Sequence, residues 1–257
     1  MKKRTVFTIT KTKTDKDNDM TERVFITGDK HGTFTPLFGL AEKTVLCESD
    51  ILIIAGDAGY VWNKSYKNNI DSLHQIFPGQ IAFIDGNHEN HALLNSMEIS
   101  IWNGGKVHHA GERVIHLMRG EIYSIYGMNY FTFGGARSVD KDRRVEGESW
   151  WSEEEPTKAE IEYGKEQFLK NLSDIDYVIT HETPLFARAF ISREKPVDDD
   201  YELPVIFDEW YNIISESERL KKWYFGHMHA DKVITEKLRG VHNDILDIKS
   251  ERQIRWI

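Results

Sequence analysis

The sequence predicts an α/β fold arranged as a four-layer α-β-β-α sandwich, two mixed sheets enclosed by helices. Three observations lead there. A short apolar run ending at a metal-type ligand recurs five times, at Val24–Thr27, Ile51–Ala55, Ile81–Ile84, Tyr177–Thr180 and Trp223–Phe225. Such runs, bounded by glycine and lacking polar alternation, read as strands buried on both faces. Helical patterns separate the first three runs, which implies right-handed βαβ crossovers and a mainly parallel sheet. From Lys106 to Gly135 the pattern changes to short strands joined by turn residues, the mark of antiparallel pairing. A second sheet formed there and packed on the first leaves the helices outside.

Taken in order, residues 1–22 read as an N-terminal extension, a short surface strand or arm, and residues 23–257 as a single domain. Thr35-Pro36 reads as a helix entry, with Thr as cap and Pro at the first helical position. Tyr66, Ile70, Leu73 and Phe77 share one helical face, and a further helix is expected after Asn87-His88, to about Ser96. Within the antiparallel stretch, strands fall at 114–118, 122–125 and 130–134. A polar loop follows over about 135–156, and Thr157 with Glu160 forms a capping box for a helix to about Leu172. Residues 184–204 read as a second long irregular segment, and segments of this length inside a domain are usually functional covers. A helix over 206–220 leads to the last ligand strand, and 241–248 reads as a closing strand.

Composition narrows the function classes. The 257 residues suffice for a substantial core, and a formal charge of -9 weighs against a nonspecific binder of nucleic acid or anionic membrane. Long nucleic acid is therefore not the expected partner. Cys47 is the single cysteine, which excludes an intrachain disulfide and thiolate zinc sites. No run reaches the ~20 apolar residues needed to span a bilayer. The basic N-terminus lacks an apolar segment behind it, so a cytoplasmic, membrane-free setting is the expectation.

The five strand ends carry Asp29 and His31, Asp57, Asn87 and His88, His181, and His227 and His229. Open α/β sheets place ligands at the C-terminal ends of their strands. Singly these residues say little, because Gly-Asp is common turn chemistry and a lone histidine is usually a hydrogen-bonded structural residue. Together they make a mixed nitrogen and oxygen set suited to two borderline or hard divalent cations. Two ions ~3.5–4 Å apart need one carboxylate between them, and Asp57 on the central strand is the best placed. Alternation along an extended Asp29-Lys30-His31 would aim the carboxylate and imidazole the same way.

The series GDKHG, GDAG, GNHE, THETP and GHMH resembles the signature of the calcineurin-like metallophosphoesterases, in that family's order and from about residue 24 to 248. The resemblance implies a double-sheet fold with two divalent ions, Mn, Fe or Zn. Asp29, His31, Asp57 and His229 would hold one ion; Asp57, Asn87, His181 and His227 would hold the other. His88 would be the catalytic histidine that is not a ligand, giving a proton to the leaving group. The implied reaction is hydrolysis of a phosphomonoester or phosphodiester by a hydroxide bridging the ions, with no covalent enzyme intermediate. A phosphorylated small molecule, a nucleotide or a phosphoprotein would be the substrate.

The Ser/Thr protein phosphatases carry GDxxDRG, whose second Asp supports the catalytic histidine and whose Arg grips phosphate; here those positions are Tyr60 and Val61. That weakens a protein phosphatase reading and leaves a nucleotide phosphodiesterase as another alternative. Arg137 is the substitute proposed for the phosphate contact, beside Asn87. The stretch from His227 to Asp231 also matches H-x-H-x-D of the metallo-β-lactamase fold, but Lys232 stands where a further His is required. Outside the enzymes, the same fold would serve as a metal-binding interaction scaffold. Glu153-Glu154-Glu155 reads as a solvated helix entry, Arg143-Arg144 as surface charge, and Trp150-Trp151 either as an aromatic lip or as an anchor for the loop.

Overall fold

The computed structural model describes residues 22–191 and 200–254. The expected N-terminal arm up to residue 21, and Asp198 and Asp199, lie outside them. The chain begins β1 (Val24–Thr27), α1 (Thr35–Lys43), β2 (Ile51–Ile54), α2 (Tyr66–Ile76), β3 (Gln80–Ile84) and α3 (His91–Asn95). It continues through β4 (Ile99–Trp102), β5 (Gly105–Gly111), β6 (Val114–Leu117), β7 (Glu121–Ile125), β8 (Met128–Phe133) and α4 (Lys158–Lys170). The last third is β9 (Tyr177–Thr180), α5 (Leu185–Ile191), α6 (Leu203–Ile214), β10 (Lys222–Phe225), β11 (Lys232–Thr235) and β12 (Leu238–Gly240). Two short strands, β13 (Ile245–Asp247) and β14 (Gln253–Ile254), complete it.

The strands form two mixed sheets. One has the order β14-β13-β1-β2-β3-β6-β5-β4, the other β11-β12-β10-β9-β8-β7. All five ligand strands lie in parallel runs, β1, β2 and β3 in the first sheet and β9 and β10 in the second. The faces that meet bury Ile26, Ile53, Ile84 and Leu117 from one sheet against Tyr130, Ile179 and Tyr224 from the other. Each such side chain contributes ~1.5–3 kcal/mol on burial, so the sheets are locked face to face. The outer face of the first sheet packs on α1 and α2 through Leu37, Leu40, Ile70 and Leu73. The outer face of the second packs on α4 and α6 through Phe168, Phe207 and Trp210. This is the four-layer α-β-β-α sandwich.

Several local expectations shift. The antiparallel stretch divides between the sheets, because β6 runs parallel to β3 and antiparallel to β5 and so completes the first sheet. Only the β7-β8 hairpin belongs to the second. Phe34 occupies the cap of α1, with Thr35 already helical. The capping box at Thr157 and Glu160 forms as expected. Part of the segment 184–204 is helical, as α5 and the start of α6. Within 135–156 the chain makes two 3-10 turns, Lys141–Arg143 and Ser152–Glu154. Glu154 is fully buried rather than solvated, and Trp151 is buried against Trp62, an anchor rather than a lip.

Candidate metal centre

The ligand strands end side by side, and each chain segment turns sharply as it leaves its sheet. Asp29, His31, Asp57, His227 and His229 all adopt left-handed backbone conformations, with φ between 47° and 59°. Non-glycine residues rarely do so, at ~1–3 kcal/mol each, and such strain gathers at functional sites. It also corrects the expectation of an extended Asp29-Lys30-His31: the two side chains converge through tight turns rather than by alternation. Close approach explains the glycines. A Cβ on Gly86 would stand 2.1 Å from Asp57 Oδ1, and one on Gly56 2.1 Å from His181 Nδ1.

The residues named from the sequence assemble. Ligand atoms of Asp29, His31, Asp57 and His229 all lie within 4.8 Å of one another. A second group abuts the first: Asn87 Oδ1 lies 2.9 Å from His227 Nδ1 and 3.2 Å from His181 Nε2, and His181 Nε2 lies 3.4 Å from Asp57 Oδ1. His181 Nδ1 donates to the Ala55 carbonyl at 2.8 Å, which turns Nε2 inward. His88 is half-buried; its backbone N–H donates to Asp57 Oδ1 at 2.7 Å and its ring meets His31 edge-on. His88, Asp57, Asn87, His227 and His229 line a cavity of about 150 Å³ walled by Val139 and Asp140.

The electrostatics call for positive charge. Asp29 Oδ2 is buried with no hydrogen-bond partner. Burial pushes the Asp29 carboxyl up to about 8, with neighbouring Asp57 adding to the rise. Burial alone would raise Asp57 and lower His181, but the attraction between the two wins, holding Asp57 low and raising His181 to about 10. Burial lowers His31 and His227 to about 4, leaving neutral imidazoles with lone pairs to share. A buried carboxylate oxygen without a donor, neutral imidazoles and an amide oxygen make a donor set that fits a divalent cation.

Arg137 is not brought into this group. Its guanidinium lies on Glu155 and Asp200 and stacks over Tyr201. Tyr60 and Val61 are fully buried, and the Tyr60 hydroxyl donates to the Thr33 carbonyl. Three carboxylates around the centre went unassigned in the sequence. Glu89 accepts from the backbone N–H groups of Ala58 and Gly59, tying the GNHE turn to the GDAG turn. Glu182 lies 3.7 Å from His227 Nε2 and binds Arg188 and Tyr201. Asp140 forks to Arg144 at the cavity wall. The first two sit inside the quoted motifs, which is the signal that marks them; Asp140 carries none.

Among the described residues no helix is long and apolar enough to cross a membrane. No curated protein sequence matches the chain. A solved crystal structure aligns over 91% of this chain and 98% of its own with a TM-score of 0.53 at 12% identity, a likeness of fold. The family model described as calcineurin-like phosphoesterase matches residues 22–231, which takes in every strand-end residue described above. With that match and this centre, the chain belongs to the calcineurin-like phosphoesterases, a family of metal-dependent phosphoester hydrolases.

Proposed function

We propose that the protein is a dinuclear phosphoesterase that hydrolyses a phosphomonoester or phosphodiester. Asp29, His31, Asp57 and His229 would hold one divalent ion, and Asp57, Asn87, His181 and His227 the other. The observation that carries this reading is the place of Asp57: one oxygen lies 3.8 Å from His31 Nε2 and the other 3.4 Å from His181 Nε2. A single carboxylate thus faces both ligand groups, as a two-ion site requires. When bound, the ions supply Lewis acidity, offsetting phosphoryl charge and acidifying water.

The chain's own groups do the rest. His88 lines the cavity and delivers a proton to the leaving oxygen. Burial lowers its pKa, with Asp57 opposing, so its protonated form is a readier acid. Asp57, held by the His88 backbone N–H, ties the proton donor to the ligand set. Asn87 faces the same cavity, where a phosphoryl oxygen would also meet it. Arg137 we assign to the fold, since both faces of its fork are taken by carboxylates.

The test is hydrolysis of p-nitrophenyl phosphate and its bis ester with added Mn, before and after chelation, in the parent and in His88→Ala. Metal-dependent turnover that falls by ~10²–10⁴ in His88→Ala, with both ions retained, is expected. No turnover in a protein shown to hold two ions would leave the interaction scaffold. Loss of metal in His88→Ala would make His88 a ligand.

A further inference from the structure

We infer that Ser138 and Glu154 are positioning residues that set which end of the Asn87 amide faces the second ion. The inference rests on the dinuclear reading above. Glu154, in the 3-10 turn Ser152–Glu154, is fully buried, and Ser138 and Asn87 are nearly so. One Glu154 oxygen accepts the Ser138 backbone N–H at 2.6 Å, and the other accepts the Ser138 hydroxyl at 2.6 Å. A hydroxyl has one hydrogen. With it committed to the carboxylate, Ser138 Oγ has only lone pairs left for Asn87.

Asn87 stands 3.1 Å from that oxygen and must therefore present its amino group. Its carbonyl oxygen is turned the opposite way, onto His227 Nδ1 and His181 Nε2. An amide reversed would offer a cation two N–H hydrogens and no lone pair, which is not ligation. The carboxylate thus dictates the amide's orientation through the hydroxyl between them. The Glu154 backbone is pinned as well, its carbonyl accepting the Ala136 N–H at 3.1 Å and an Arg119 N–H at 3.3 Å. The loop over 135–156 is in this respect a strut of the metal centre rather than a cover over it.

The experiment is a two-site Mn titration by calorimetry on the full chain and on Ser138→Ala, Ser138→Thr and Glu154→Gln, each also made in Asn87→Asp. An aspartate has two equivalent oxygens, so its orientation carries no information. Ser138→Ala and Glu154→Gln are expected to weaken the second ion ~10–100-fold with the first unchanged, the range for outer groups that orient ligands. Ser138→Thr keeps the hydroxyl and parent affinity. In Asn87→Asp the same changes are expected to add no further loss. Unchanged second-ion affinity, equal weakening of both ions, or the same loss in the Asn87→Asp background would overturn the inference while leaving the dinuclear reading intact. A parent protein that takes up one ion only would overturn that reading, and this inference with it. Glu154→Gln decides the matter if Ser138→Ala does not fold.

Discussion

The Nε2 atoms of His31 and His229 face each other at 3.1 Å, with their rings edge-on. Two imidazoles so placed either share one hydrogen or jointly serve a cation, and burial keeps His31 neutral above about pH 4. His229 also stacks flat on His242, 4.7 Å between ring centres, which fixes the plane of its ring. Replacing His229 with Ala is expected to reduce bound metal from two ions per chain to one, read by elemental analysis after gel filtration. Turnover should fall at least ~10²-fold, since an ion contributes several kcal/mol of transition-state charge stabilisation and each 1.36 kcal/mol is a factor of ten. Retention of both ions would remove His229 from the ligand set.

Why these residues could be found at all follows from the fold's geometry. Strands buried on both faces leave an unbroken apolar signature, and the polar residues just past each run, beside a glycine in four of the five, mark the sheet rim at Asp29, Asp57, Asn87, His181 and His227. The turns at Asp29 and His31 were not legible, because a left-handed residue in a non-glycine position leaves no compositional trace. Nor was the division of the hairpins, since β5-β6 and β7-β8 have the same alternation whichever sheet they join. Glu154 looked solvated among three acids, yet its environment comes from Ser138, sixteen positions away and without any motif. Arg137 was read from its type; its partners Glu155 and Asp200 are tertiary neighbours that no local pattern pairs.

Stability should fall on acidification. Burial lowers His31, His91, His108, His227 and His242 to about 4, against an ordinary histidine value near 6.5. Between about pH 6.5 and 4 the unfolded chain takes up protons that the folded chain refuses, so stability drops as pH falls through that window. The carboxyls that burial raises, Asp29 to about 8 with Glu89, Glu154 and Asp208, oppose: their contribution is present at low pH and lost as pH rises through their raised values. The lowered histidines, His74 and His88 included, outnumber them. Urea midpoints of the chelated protein at pH 6.5, 5.5 and 4.5 should therefore decline in that order; a flat or rising series would contradict the burial of these rings.

Gly86 tests how tightly the two ligand groups are set. Its backbone is not left-handed, so alanine is conformationally permitted there. The added methyl would nevertheless lie 2.1 Å from Asp57 Oδ1, 2.5 Å from the Asp57 backbone nitrogen and 2.7 Å from His181 Nε2. A backbone atom cannot rotate out of the way, so the end of β2 must shift. Gly86→Ala is expected to cost ~1–3 kcal/mol in unfolding free energy, the range for overpacking, measured on chelated protein. Mn affinity should fall by at least about tenfold as Asp57 is displaced. Parent affinity for both ions would show that Asp57 does not mediate between the groups.

Glu182 is the buried counterion on the far side of the centre. Its Oε2 accepts from Arg188 at 2.6 Å and from the Tyr201 hydroxyl at 3.0 Å, and lies 3.7 Å from His227 Nε2. Burial pushes its carboxyl up, but the attraction of His227 and of the Arg188 guanidinium, with the hydrogen bonds it accepts, outweighs this and holds it below the ordinary range. Removing it leaves the nearly buried guanidinium of Arg188 unpaired, and breaking a buried pair from one side costs ~3–5 kcal/mol. Glu182→Leu should lose that much by urea unfolding, while Glu182→Leu combined with Arg188→Met, which leaves no unpaired charge, should recover most of it. The double variant then separates the two duties of Glu182. If it regains stability yet binds the second ion more weakly than the parent, the carboxylate also orients His227; if Glu182→Leu alone unfolds with parent stability, Arg188 is not dependent on it.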